Sequence, residues 1–204
     1  MVHANSDPST TALLLADLQN DFIHANGAYG RAGQSAPEIA ALPARIKPLR
    51  DVLRAKGGLI IATQFTLVPG RGGVPMISPH LKALRPFLKA GDFAPGTWGN
   101  ATADLLQPVD VAVEKVAYSA FYMSRLEWVI RKLGVTRLLV AGIVTNGGVT
   151  STVRDAHVRD IETIVLEDGC AAFTPSVHTA AIEGLRSLAR VATIAEMIAE
   201  LQAS

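Results

Sequence analysis

The stretch Arg137-Leu-Leu-Val-Ala-Gly-Ile-Val-Thr-Asn-Gly-Gly-Val149, continuing as Thr-Ser-Thr-Val-Arg-Asp-Ala156, decides the fold. Arg137 to Ile143 is a short, branched, apolar run without alternation, the pattern of a parallel strand buried on both faces. Thr145, Asn146 and two glycines follow where the chain must reverse, and Ser151 to Asp160 carries small and polar residues at helical spacing. In open α/β sheets, ligands bind beyond the carboxyl ends of the strands, at turns of this kind. Gly147 and Gly148 read as positions where a Cβ would hinder the backbone and where a ligand approaches the main chain and the next helix N-terminus. A plain strand-to-helix turn has the same pattern, so its meaning rests on what other strands bring to the same edge.

Working outward, further buried strands are expected at Thr11 to Asp17, Leu59 to Thr63, Asp110 to Lys115, Glu162 to Leu166 and Val191 to Ile194. Between them lie helical patterns. Ala36 to Lys56 carries Ile39, Leu42, Ile46, Leu49 and Leu53 at helical spacing, and Pro43 and Pro48 predict a broken or kinked helix. Tyr122 to Leu133 has Leu126, Val129, Ile130 and Leu133 on one face and closes on Gly134. Pro175 to Ala189 is read with Ala180, Ala181, Leu185 and Leu188 inward, and Ala195 to Gln202 as a terminal helix. Strands alternating with helices at this rhythm predict one parallel, doubly wound sheet between two helical layers. The connection from Phe65 to Asn100 is too long for a compact domain unless it carries binding function or oligomer contacts.

Composition bounds the function classes. The chain has 204 residues, 49% of them hydrophobic, and a formal charge of +1. Residues 1 to 10 are expected to be a flexible tail and 11 to 204 a single domain. With no basic run or basic-aromatic patch, nucleic acid is not an expected partner. No apolar stretch is long enough to span a bilayer, and the polar N-terminus does not read as a signal peptide. The single cysteine, Cys170, excludes an internal disulfide and fits a reducing cytoplasm. The expected partners are a small-molecule substrate and further copies of the chain, as a homodimer or higher homo-oligomer.

Three strands deliver polar features to one edge: Asp17 closes the first, Lys115 the third, and the turn Val144 to Gly148 follows the fourth. A carboxylate ending an apolar strand is costly to bury without a partner, and Lys115 is the natural one. An ion pair that fixes register, or two unrelated solvated strand ends, fits this spacing as well as an acid/base pair does.

Leu-Leu-Ala-Asp-Leu-Gln-Asn-Asp-Phe22, Pro-Gly-Thr-Trp-Gly99, Glu-Lys-Val-Ala-Tyr-Ser-Ala-Phe121 and Gly-Ile-Val-Thr-Asn-Gly-Gly-Val-Thr-Ser-Thr-Val-Arg-Asp-Ala156 resemble the isochorismatase-like hydrolases, also called the cysteine hydrolase superfamily. The likeness covers nearly the whole chain and implies a three-layer α/β/α sandwich with a six-stranded parallel, Rossmann-like sheet. It implies that Asp17 and Lys115 match the family's catalytic Asp and Lys. It also implies that Val144-Thr145 matches a peptide often cis in the family, which points backbone N–H groups into the site. The departure is at Gly148, where most amidase members carry the nucleophilic cysteine. Glycine supplies no thiolate. Cys170 lies beyond the next expected strand and reads as a small buried hydrophobe.

Members that cleave isochorismate also lack this cysteine. By resemblance, Asp17 would protonate a vinyl-ether carbon there, water would add, and Lys115 would hold a substrate carboxylate or steer the proton. A catalytically inactive ligand-binding member, or a cysteine amidase that has lost its nucleophile, are the alternatives. The nicotinamidase branch holds a metal with paired His after the second strand. Here that exit reads Ala-Thr-Gln-Phe-Thr66, so neither metal nor other cofactor is expected. Phe22, Trp98, Tyr118 and Phe121, with Val144 and Thr145, are the candidate substrate-binding residues. His24 and His80 read as solvated loop residues, His157 and His178 as surface or interface, and Arg154-Asp155 as a structural pair. Arg71 and Arg85 are candidates for binding an anionic substrate, in a loop that sequence alone does not place.

Overall fold

The computed structural model describes residues 7–203. Six strands, β1 (Thr11–Ala16), β2 (Leu59–Phe65), β3 (Val111–Lys115), β4 (Arg137–Ile143), β5 (Glu162–Ala171) and β6 (Arg190–Ala192), form one sheet in the order β3-β2-β1-β4-β5-β6. Every pairing is parallel. The strand order reverses between β1 and β4, so a crevice opens beyond their carboxyl ends. That reversal places the site.

Helices α1 (Asn20–Ile23), α2 (Ala28–Arg31), α3 (Pro37–Ala55) and α4 (Pro79–Leu84) precede β3. Helices α5 (Leu126–Lys132), α6 (Thr150–His157), α7 (Pro175–Leu185) and α8 (Ile194–Ala203) follow it. Side chains alternate across the sheet and divide the core in two. Leu13 and Leu15 of β1 point into the cluster holding Ile39, Leu42, Ile46, Leu49 and Leu53 of α3 with Met197 and Leu201 of α8. Ala12, Leu14 and Ala16 point the other way, against Leu126, Val129 and Ile130 of α5, Val153 of α6 and Ile182 and Leu185 of α7. The expected parallel sheet between helical layers is present.

Several local expectations change. Helix α3 runs unbroken for 19 residues with Pro43 and Pro48 inside it. Each interior proline costs roughly 3 kcal/mol or more. The five aliphatic side chains of the buried stripe contribute about 1.5–3 kcal/mol each, enough to offset both prolines. The helix expected from Tyr122 starts at Leu126, and Leu133 lies exposed beyond its end. On α7, Ile182 and Leu185 face inward while Ala180 is exposed. Of the expected tail, residues 1–6 lie outside the described residues, whereas Pro8–Thr10 form a 3-10 turn capped by the Asp7 carboxylate.

Strand β5 outruns its apolar stretch. Its register against β4 shifts between Val140 and Gly142, and pairing resumes with Gly142 opposite Cys170, which therefore lies within the strand. Gly142 has φ 131°, and a Cβ there would lie 2.1 Å from the carbonyl oxygen of Ala16. Only glycine lets β4 pass β1 so closely at this point.

Candidate active site

Asp17 follows β1 with φ 56°, a left-handed conformation that short polar residues tolerate. Its carboxylate is held by the two neighbouring strands, β2 and β3. The Thr63 hydroxyl on β2 donates to Oδ1 at 2.7 Å, and Lys115 Nζ at the end of β3 lies 2.7 Å from Oδ2. The Asp17 backbone N–H in turn donates to Thr63 Oγ1 at 3.1 Å. Asp17 is 5% exposed and Lys115 2%. Burial pushes the Asp17 carboxyl above the ordinary carboxylate range, against the opposing pull of Lys115 and Thr63. Lys115 Nζ also donates to the carbonyls of Ala117 at 2.8 Å and Tyr118 at 3.1 Å. An ammonium has three N–H groups, so Asp17 and these two carbonyls take all of them.

The turn after β4 completes the floor. Residues Thr145–Val149 form one π-helical turn into α6, and the cis peptide precedes it, between Ile143 and Val144. It thus lies one residue earlier than the Val144-Thr145 peptide that the resemblance implied, because β4 ends at Ile143 and the chain turns directly there. Neither Gly147 nor Gly148 has a positive φ, so the backbone does not require glycine at either position. A Cβ on Gly148 would lie 3.0 Å from the carbonyl oxygen of Ile143 and 3.4 Å from Asp17 Oδ2. The position accepts a side chain after a small shift of that carbonyl. Gly148 itself brings no side chain to Asp17.

Above this floor is a cavity of about 450 Å³. Its lining includes Asp17, Lys115, Val144 and Gly148 below, Phe22, Tyr29, Phe65, Tyr118 and Phe173 as walls, and Leu81, Leu84 and Arg85 from the long connection. Of the aromatic candidates, Phe22 and Tyr118 line this cavity. Trp98 and Phe121 do not. Trp98 is half-exposed and packs edge-on against His24. Phe121 is buried in the α5–α6 side of the core, with Arg159 over its ring. Thr145 is fully buried and lies outside the cavity lining, its hydroxyl 2.8 Å from His178 Nδ1, so His178 is tied to the turn rather than being a plain surface residue. Among the other expectations, His80 lines the cavity, and Asp155 pairs with Arg159 instead of Arg154. Neighbours in sequence on a helix do not face each other.

The sequence reading missed Tyr29, Phe65, Phe173 and the α4 residues. Tyr29 stacks on Phe173 with centroids 5.5 Å apart and contacts Phe22 and Phe93. The signal for this wall is the polar run after Asp17. Gln19 bonds the Phe65 amide and the carbonyls of Phe65 and Asn100, Asn20 bonds the Trp98 carbonyl, and Asp21 accepts from the Ala28 and Phe93 amides. These side chains pin the long connection over the site, while of Asp17, Gln19, Asn20 and Asp21 only Asp17 lines the cavity. Cys170 is 3% exposed, its Sγ 3.6 Å from the Val140 carbonyl oxygen, and burial pushes its thiol up to about 12. It is outside the cavity lining. Among the described residues, no three His, Cys, Asp or Glu side chains cluster to hold a metal ion, and no helix is long and apolar enough to cross a membrane.

Comparison with known proteins agrees with this architecture. The isochorismatase domain matches residues 11–196. A ureidoacrylate amidohydrolase of Methylobacterium radiotolerans is 34% identical over 193 residues, covering 89% of this chain and 75% of that protein. One of Caulobacter vibrioides is 34% identical over 173 residues, covering 79% and 77%. Among solved structures, a cysteine hydrolase from Pseudomonas syringae pv. phaseolicola is 25% identical and superposes with a TM-score of 0.84 over 100% of this chain and 97% of that one.

Proposed function

The chain belongs to the isochorismatase family of hydrolases, and from that premise we propose that it hydrolyses a small molecule with water, rather than an enzyme thiol, as the attacking group. The observation that carries this reading is Gly148: the turn beside Asp17 Oδ2 brings no nucleophilic side chain to it, and the one cysteine is buried elsewhere with its thiol pushed up to about 12.

In the first reading, Asp17 is a general acid acting on a vinyl ether of the isochorismate type. The carboxyl gives its proton to the methylene carbon, the C=C electrons form the new C–H bond, and an oxocarbenium ion remains. Water adds to the ether-bearing carbon of that ion, giving a hemiketal, and returns a proton to the Asp17 carboxylate. The hemiketal then breaks its C–O bond, the leaving oxygen takes the hydroxyl proton, and pyruvate and an alcohol depart. Burial holds the Asp17 proton to higher pH than an exposed carboxyl would, which suits a donor. Lys115 sets how firmly that proton is held.

The names of the amidohydrolase relatives favour a second reading, in which ionised Asp17 is the base for direct attack of water on an amide or carbamoyl carbon. The two differ in sign with pH. An acid is active below its folded-state pKa and fades as pH rises through it, and a base does the reverse. The test is pyruvate release from isochorismate, followed with lactate dehydrogenase, alongside ammonia release from ureidoacrylate. Pyruvate release that is lost in Asp17→Asn supports the first reading. Ammonia release without pyruvate, lost in Asp17→Asn, supports the second, and silence on both counts against each named substrate.

A further inference from the structure

One cation of the cavity wall has no balancing carboxylate among the described residues. Arg85 follows α4 at the cavity wall, and its two hydrogen bonds go to neutral hydroxyls: Nε donates to Tyr29 Oη at 2.7 Å and Nη2 to Tyr118 Oη at 3.5 Å. Among the described residues, no carboxylate lies within ion-pairing distance of it. The one acid of the cavity lining, Asp17, is taken by Lys115 at 2.7 Å. Lys115 in turn has no N–H left for a ligand. Arg85 keeps N–H groups beyond those bound to the tyrosines, on a planar fork that matches a carboxylate.

We propose that Arg85 is the anchor for a substrate carboxylate, so that this cavity selects a small anionic ligand with a flat or cyclic body. The aromatic walls Phe22, Tyr29, Phe65, Tyr118 and Phe173 supply the surface for that body. Tyr118 fixes the spacing. Its ring passes 3.8 Å from where a Gly147 Cβ would stand, and its hydroxyl reaches Arg85, so one tyrosine ring separates the guanidinium from the turn at Gly147. The carboxylate role thus passes from Lys115, where resemblance put it, to Arg85. The inference rests on this cavity being the reaction site but needs no particular reaction.

Binding of a matched pair tests it: trans-cinnamate and trans-cinnamamide, alike in shape and different in charge, titrated calorimetrically at pH 7 and low salt. The wild-type protein should bind cinnamate at least tenfold more tightly than the amide. Arg85→Gln should remove that preference by weakening cinnamate alone, and Arg85→Lys should keep part of it. If Arg85→Gln does not fold, the loss of at least threefold preference in Arg85→Lys decides. Equal affinities in the wild type, a preference that survives in Arg85→Gln, or no binding of either probe at millimolar concentration would overturn the proposal. A protein silent on every substrate that still prefers cinnamate keeps this inference and loses the hydrolytic one. Turnover of isochorismate with unchanged KM in Arg85→Gln does the opposite.

Discussion

Replacing Lys115 by methionine isolates the pair on which the site rests. The ammonium and the Asp17 carboxylate are 2.7 Å apart, and both side chains are at least nine-tenths buried. Without Lys115 the carboxylate keeps the Thr63 hydroxyl at 2.7 Å and the Phe65 backbone N–H, but no cation, inside an aromatic cavity. Removing one partner of a buried ion pair costs about 3–5 kcal/mol, because the other charge stays buried and uncompensated. For a chain of this size that lowers Tm by roughly 6–20 °C. The sign with pH follows from Asp17. Its folded-state pKa is already raised, and loss of the cation raises it further. A raised carboxyl stabilises the fold below the unfolded value of 3.8, and that contribution is lost as pH rises through the folded value. The destabilisation in Lys115→Met should therefore be full at pH 8 and smaller at pH 5. The double variant Asp17→Leu/Lys115→Met, which removes both charges, should recover most of the loss or exceed the wild type by about 1–4 kcal/mol. Urea denaturation of the three proteins at both pH values measures this. A loss below about 1 kcal/mol that does not change with pH would refute the reasoning, since it would mean that the pair is solvated.

Other outcomes follow from the same contacts. Gly148→Cys should fold with a loss of about 1–3 kcal/mol in urea, since its Cβ must displace the Ile143 carbonyl from 3.0 Å. Its new thiol should react with a maleimide while Cys170 stays unmodified in the native protein. In the wild type, Cys170 should resist the same reagent up to pH 9, as a thiol pushed up to about 12 would, and Cys170→Ala should keep any activity. Gly142→Ala places a Cβ 2.1 Å from the Ala16 carbonyl at φ 131° and should cost roughly 3 kcal/mol or more, read from the urea midpoint.

The parallel sheet was legible because strands buried on both faces leave continuous apolar runs, and Asp17 and Lys115 stood out as charges closing two of them. The ion pair itself was one of several readings until β1, β2 and β3 were seen side by side. The extent of β5 was hidden because Glu167, Asp168 and Gly169 end the apolar run while the backbone pairing resumes after a register shift. The aromatic wall was only half legible. Phe121 and Tyr118 sit in one motif, yet the loop turns one ring into the core and the other over the cavity. Tyr29, Phe173 and Arg85 come from three separate connections, and their meeting depends on the bonds that Gln19, Asn20 and Asp21 make to the loop around them.

Hydrolysis of isochorismate in D2O, with the pyruvate trapped at once as lactate, tests the central claim most directly. Proton donation from Asp17 to carbon predicts one solvent deuteron in the methyl group of every pyruvate formed, no covalent adduct on the protein by mass spectrometry, and loss of turnover in Asp17→Asn. A substrate fragment bound covalently to the chain, or turnover that persists without the Asp17 carboxyl, would contradict it.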